Sequence, residues 1–355
     1  MLSTPNCADV TQTVSAPHPP QANSAPLLEV SNLAVEFRLN HGVVRAVNGI
    51  SYRLAAGKTL AILGESGSGK SVSAQAVMGI IDTPPGFITS GSVRFQGTEL
   101  IGLPASERRR YRGEKIAMIF QDALSSLNPV YTVGYQIGEM FRRHRGASRA
   151  EAKLKAIEMM ERVKIPLARE RANAYPHQFS GGMRQRVMIA MAIALDPDIL
   201  IADEPTTALD VTVQAQIMGL LDELQAETGM GMILITHDLG VVAEVADEVA
   251  VMYAGKIVEQ TDCTSCFARP AHPYTFGLMH SIPRSDKKLA RLNPIKGTPP
   301  DLMRIPPGCS FHPRCEFRRE VCFTETPQLR LVAKDRLSAC HFAESVLAEE
   351  VLDAR

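Results

Sequence analysis

The eight residues Gly64-Glu65-Ser66-Gly67-Ser68-Gly69-Lys70-Ser71 constrain this chain more than any other stretch, because they follow the apolar run Thr59-Leu60-Ala61-Ile62-Leu63 without a break. Such a short, fully apolar run is the pattern of a strand buried on both faces of a parallel sheet. The octet fits G-x-x-x-x-G-K-[ST], which carries meaning when it lies between a strand and a helix. Its small residues let the backbone wrap a phosphate chain, so that N–H groups and the start of a helix near Lys70 donate to the oxygens. Lys70 is placed to reach β- and γ-phosphates, and Ser71 to ligand Mg2+. A glycine-rich turn with an exposed lysine is the plain alternative, and the flanking strand and helix argue against it.

Similar apolar runs recur at Ile116 to Phe120, Ile199 to Ala202, Met232 to Ile235 and Val249 to Met252. Buried strands alternating with helical stretches predict an α/β fold with ligands at the strand carboxyl ends. Shorter β-branched runs at Leu28–Val30, Leu33–Phe37, Ala46–Val47 and Ile50–Tyr52 predict opening strands. Between Asp122 and Gln178 the strands stop, and alternating Glu, Lys and Arg around apolar residues at 148–164 predict an inserted helical subdomain. Residues 1–26, rich in Pro, Ser, Thr, Asn and Gln without periodicity, have the composition of a disordered tail. After about Glu259 the sequence turns Pro-rich and Cys-containing. The division that follows is a tail over 1–26, a nucleotide-binding domain over 27–259 with its helical insert at about 122–178, an appendage over 260–345 and a second tail over 346–355.

The 355 residues carry 38 Lys+Arg against 38 Asp+Glu, so no broad positive field recommends nucleic acid as a partner. No apolar run approaches the roughly 18 residues of a membrane span. The first 37 residues hold neither Lys nor Arg and so lack the basic region of a secretory signal, from which a cytosolic chain is expected. Seven cysteines in that compartment read as metal ligands wherever they cluster.

Ile199-Leu200-Ile201-Ala202 ends in Asp203-Glu204. Carboxylates at the end of a buried strand are costly unless they serve a cation or a proton. Asp203 is the expected Mg2+ partner, through water, and Glu204 the expected general base; the alternative for Asp203 is a helix cap before Pro205. Upstream stands Phe179-Ser180-Gly181-Gly182-Met183-Arg184-Gln185-Arg186. In that order the chain resembles the ABC ATPases: Ser180-Gly181-Gly182 match the signature, Gln121 the Q-loop, Ala208-Leu209-Asp210 the D-loop and His237 the switch histidine.

The resemblance implies a P-loop ABC ATPase: a RecA-like core, an antiparallel β subdomain, an inserted α-helical subdomain and a Cys-containing C-terminal extension. It implies ATP and Mg2+ as cofactors, with Glu204, His237 and Gln121 catalytic and Ser71, Gln121 and Asp203 around the metal. Nucleotide would contact Gly64, Glu65, Ser66, Gly67, Ser68, Gly69, Lys70 and Ser71. It would also meet Ser180, Gly181, Gly182 and Asp210, with the signature reaching the phosphate loop of a partner subunit. Phe37 is the best match for the aromatic that stacks on adenine, and a core-strand role suits it nearly as well. The signature departs from the common pattern at Phe179, where Leu is usual, and at Met183, where Gln is usual; neither supplies the phosphate contacts.

Finer likeness, in Tyr175-Pro176-His177-Gln178, Ser126-Leu127-Asn128-Pro129, Ala271-His272-Pro273-Tyr274-Thr275 and Pro307 to Cys315, is to the ATPase subunits of bacterial oligopeptide and dipeptide importers. This resemblance spans Leu27 to His341. It implies a heterodimer with a paralogous ATPase subunit, two transmembrane permease subunits and a periplasmic substrate-binding protein, at the cytoplasmic face of the inner membrane. Nickel, glutathione or another small solute is the alternative cargo. A soluble, non-transport ABC ATPase is the alternative class, without the coiled coils, zinc-hook insertions or tandem units such proteins usually carry.

Cys309, Cys315, Cys322 and Cys340 follow C-x5-C-x6-C-x17-C, without a zinc-ribbon pair. Four thiolates on loops suit an iron–sulfur cluster or Zn2+, with ordinary free thiols as the plain alternative. The subfamily resemblance points to [4Fe-4S], while His312 and His341 keep Zn2+ open. Cys263-Thr264-Ser265-Cys266 reads as structural or incidental.

Overall fold

The computed structural model describes residues 26–122, 126–207, 209–281 and 295–348. Of the predicted tails at 1–26 and 346–355, residues 346–348 end the helix Ala343–Ala348, while 1–25, 349–355 and Ala208 of the D-loop lie outside the described residues. In chain order the strands are β1 Leu28–Leu39, β2 Gly42–Leu54, β3 Thr59–Leu63, β4 Gly86–Phe95, β5 Thr98–Glu99 and β6 Ile116–Ile119. They continue with β7 Ile199–Asp203, β8 Gly231–Ile235, β9 Glu248–Tyr253, β10 Lys256–Asp262, β11 Arg330–Ala333 and β12 Arg336–Ser338. One sheet has the order β2-β1-β4-β5; the other runs β11-β12-β10-β9-β3-β8-β7-β6.

In the second sheet β9, β3, β8, β7 and β6 are parallel neighbours. Every residue of β3, β7 and β8 is buried, which explains runs with no polar alternation. Parallel pairing brings the carboxyl ends of β3, β6, β7 and β8 to one edge, where the phosphate loop, Gln121, Glu204 and His237 follow in sequence. β6 stops at Ile119, one residue short of the predicted run, and Phe120 is 40% exposed.

The four short opening runs are two long strands. β1 and β2 pair with register shifts between Val30 and Leu33 and again near Ala34 and Val35. Asn32 takes a φ of 49° there, a left-handed conformation that Asn tolerates. Such a bulge breaks the two-residue alternation that would have marked one continuous strand.

The helical insert holds helices Val133–Arg145 and Arg149–Arg162, then a single turn at Ala168–Arg171. Ser148 and Glu151 close the second helix in a reciprocal cap, which sets its start. The chain beyond Glu259 is not set apart from the sheet: β10 runs through that position, and Glu259 and Gln260 pair with Ser338 and Leu337 of β12. A separate hydrophobic cluster joins Val251 and Tyr253 of β9 to Cys266, Tyr274, Phe311 and Cys315. Among the described residues no helix is long and apolar enough to cross a membrane.

Candidate active site

The loop after β3 is threaded between neighbouring backbones. A Cβ on Gly64 would stand 2.2 Å from the Met252 carbonyl oxygen, and one on Gly69 2.1 Å from that of Ala46. Gly69 also has φ 103°, so both space and conformation require glycine there. Lys70 is buried, and its Nζ donates to the carbonyls of Gly64 at 2.8 Å and Glu65 at 3.0 Å. Burial lowers its pKa, with Glu204, Asp203 and Glu65 opposing that shift. The Ser68 hydroxyl is buried with no protein partner, and the helix Lys70–Met78 starts without a side-chain cap. A cradle with an orphaned hydroxyl, an uncapped helix start and a buried ammonium fits a phosphate chain.

Ser71 Oγ donates to Asp203 Oδ1 at 2.9 Å, which joins the loop to β7. Asp203 is almost fully buried, and burial raises its pKa against the Ser71 hydrogen bond. A cation beside Ser71 and Asp203 would restore the charged carboxylate, so this pair fits Mg2+.

Glu204 is the hub of the remaining contacts. Its N–H donates to the Ile235 carbonyl at 2.8 Å, and its backbone sits at φ 46°. Gln121 Nε2 and Thr207 Oγ1 donate to its Oε2 at 2.8 and 2.9 Å, while His237 Nδ1 lies 3.4 Å from Oε1. Three of the residues named from sequence thus meet at one carboxylate. Thr207 is an addition; its place one turn past the acid pair is the only sequence signal it gives.

The signature lies at another helix start. Ser180 caps the helix Gly181–Ile193 by accepting from the Met183 N–H at 3.3 Å, and Ser180 and Gly181 are exposed. A Cβ on Gly182 would meet Val213 Cγ1 at 2.6 Å, so the helix start packs against that of Val211–Thr228, capped by Asp210. No hydrogen bond among the described residues joins Ser180, Gly181 or Gly182 to the phosphate loop. The two departures point inward: Phe179 is buried, and Met183 packs on the core while its sulfur accepts from Arg171 at 3.4 Å. Phe37 is half-buried on β1 and packs with the hydrophobic cluster that includes Val35, Ile50, Ile62 and Val93, its ring edge 2.9 Å from the Cβ position of Gly86.

The C-terminal cysteines share one place. Cys309, Cys315, Cys322 and Cys340 line a single cavity, with His312 and His341 also on its wall. Burial pushes the Cys315 thiol up to about 12 and the Cys340 thiol up to about 11, and raises that of Cys309. Among the described residues no three His, Cys, Asp or Glu side chains converge as ligands of one metal ion. Cys263 and Cys266 are buried in the cluster around Tyr274, as packing residues.

Residues 47–207 match the family described as ABC transporter, and residues 258–322 match the oligopeptide/dipeptide transporter C-terminal region. The chain is 52% identical over 314 residues to the oligopeptide transport ATP-binding protein OppD of Salmonella typhimurium, covering 88% of this chain and 93% of that protein. It is 53% identical over 296 residues to the dipeptide transport ATP-binding protein DppD of Bacillus subtilis, covering 83% and 88%. Among solved structures, the post-hydrolysis dimer of the ATP-binding cassette MJ0796 with ADP and Pi superposes with a TM-score of 0.60 at 28% identity, covering 66% of this chain and 98% of that one. The cbiO1 protein of Clostridium perfringens gives a TM-score of 0.58 at 28% identity, covering 69% and 92%.

Proposed function

The chain belongs to the ATP-binding proteins of the ABC transporter family, in their oligopeptide/dipeptide branch, and from that premise we propose that it powers the import of di- and oligopeptides. The observation that carries the reading is the pair of linked contacts at the sheet edge: Ser71 on Asp203, and Gln121, Thr207 and His237 around Glu204.

In this reading the loop from Gly64 to Ser71 holds the triphosphate, with Lys70 turning from its loop carbonyls to the β- and γ-oxygens. Ser71, Asp203 and Gln121 would hold Mg2+, which would supply charge neutralisation on the phosphates. Glu204 takes the proton of the attacking water, and His237 and Gln121 fix where that water stands. Glu204 retains 16% side-chain exposure, enough to meet water at the edge of the sheet. The exposed start at Ser180 to Gly182 closes the phosphate loop of a second, related ATPase subunit, so ATP acts as a clamp between two chains.

Val130, Tyr131 and Tyr135 lie close behind Gln121 in sequence and expose 71%, 47% and 43% of their surfaces, with the two Tyr rings stacked at 4.8 Å. An apolar patch of this kind suits a permease segment; in this reading the chain works at the cytoplasmic face of a membrane with two permease subunits and, across it, a substrate-binding protein. The assembled transporter should turn over ATP faster with peptide-loaded binding protein. Stimulation by nickel or glutathione instead would assign the other cargo, and Glu204→Gln is the contrast that tests the hydrolytic site.

The cysteine cavity takes a cofactor in the same reading. Cys309, Cys315, Cys322 and Cys340 would hold a [4Fe-4S] cluster, Zn2+ being the second choice because its four ligands must converge far more tightly. Thiols raised this far stay neutral until a cationic centre replaces their protons. The cluster, when bound, supplies a cross-link between loop segments. Anaerobically purified protein should carry iron and its charge-transfer absorption; the lack of both would remove the assignment.

A further inference from the structure

Glu65, the second residue of the phosphate loop, is gripped from the far end of the chain. Arg314, 249 residues on, donates Nη1 to Oε2 at 2.5 Å and Nη2 to Oε1 at 2.9 Å in a two-point fork. Its side chain is only 5% exposed. The Glu65 N–H meanwhile donates to the Tyr274 hydroxyl at 2.8 Å, so the C-terminal extension holds both the backbone and the side chain of this one residue. The support beneath is stiff: Tyr253, Tyr274 and Phe311 have ring centroids 4.6 to 5.4 Å apart, and the Arg314 guanidinium lies about 6 Å over Tyr253 and Phe311.

The charge at Glu65 is awkward for a site that must accept a polyanion. Its carboxylate acts on Lys70, the loop's own cation, and its carbonyl accepts from Lys70 Nζ at 3.0 Å. An unpaired carboxylate there would repel the triphosphate and compete with it for Lys70. A bidentate guanidinium removes that competition and points the carboxylate toward the extension. None of the contacts of Arg314 reaches Asp203, Glu204 or His237, so its influence falls on nucleotide binding.

We propose that Arg314 is a positioning residue for ATP, which neutralises and anchors Glu65 so that the phosphate loop of this chain is complete only with its C-terminal extension in place. The inference rests on the assignment of the loop as the ATP site.

The test is a double-mutant cycle on the full-length chain, reading the Kd for a fluorescent ATP analogue with Mg2+. Arg314→Met should raise Kd about tenfold, because the partly exposed Glu65 carboxylate is left unpaired beside Lys70 and the incoming phosphates. In a Glu65→Gln background the same Arg314→Met change should raise it less than about twofold, since no carboxylate remains to be neutralised. Should the Met variant not fold, Arg314→Lys carries the same comparison, with a smaller rise beside Glu65 and none in the Glu65→Gln background. An unchanged Kd in Arg314→Met overturns the proposal, as does an equal rise in both backgrounds, which would make Arg314 a packing residue of the extension. Wild-type protein that binds no nucleotide, or binds it undiminished in Lys70→Ala, would instead sink the assignment of the loop itself.

Discussion

Glu204 occupies a left-handed backbone conformation that a glutamate rarely adopts, and the surrounding contacts hold it there. Strain of this kind, of order 1–3 kcal/mol, persists where neighbouring structure fixes it, here through the bond to the Ile235 carbonyl. The phosphate loop makes an opposite use of the backbone, since Gly69 has the freedom that the close passage by Ala46 demands. Gly69→Ala is therefore expected to destabilise the protein by about 3 kcal/mol and to abolish ATP binding. Thermal unfolding together with nucleotide titration checks this, and an unaltered variant would mean the loop is free to move off Ala46. Lys70 and Ser71 were legible in sequence through the glycine spacing between strand and helix, and Asp203 and Glu204 because they end an apolar run whose burial makes their polarity meaningful. Thr207, Tyr274 and Arg314 were not, because their roles depend on side chains meeting across the fold. Local pattern holds no trace of the Arg314–Glu65 fork, whose partners stand 249 residues apart.

At the scale of elements, β10 and the start of the helix Pro273–His280 each hold a buried ionisable residue, Glu259 and His272. Glu259 is fully buried on β10 and accepts from the Ala271 and His272 N–H groups at 2.7 and 2.9 Å. Burial pushes its carboxyl from 4.5 up to about 7, so it stabilises the fold below pH 4.5, and that contribution is lost as pH rises through 7. His272 is also buried, and burial lowers it from 6.5 to about 3, so its contribution stands above pH 6.5 and is lost as pH falls through 3. Between 4.5 and 6.5 the two slopes oppose each other. Glu259→Gln should uncover the histidine slope, making the variant about 2 kcal/mol less stable relative to wild type at pH 4.5 than at pH 6.5, as read by urea unfolding. A stability difference that stays constant over that range would contradict it. The sequence marked β3, β7, β8 and β9 by their apolar texture, yet divided β1 and β2 into fragments because bulges interrupt alternation. It showed no sign of β11 and β12, whose few residues form strands only because the edge of β10 is there to receive them.

Across the whole molecule, nucleotide and signature residues sit at separate helix starts, an arrangement that makes sense for a chain completed by another. The solved relatives account for about two thirds of the chain. The remainder includes an extension built onto the same sheet and fastened to the phosphate loop through Glu65, although in sequence it reads as an appendage. The order of motifs made the ATPase legible; the fastening appears only once β10, β12 and the Arg314 turn are in place. Glu204 is the proposed base for hydrolysis of the ATP held in this chain's loop. In the assembled transporter, single-turnover phosphate release should fall at least about a hundredfold in Glu204→Gln while ATP affinity is retained and peptide uptake is lost. Equal rates of phosphate release in variant and wild type would contradict it.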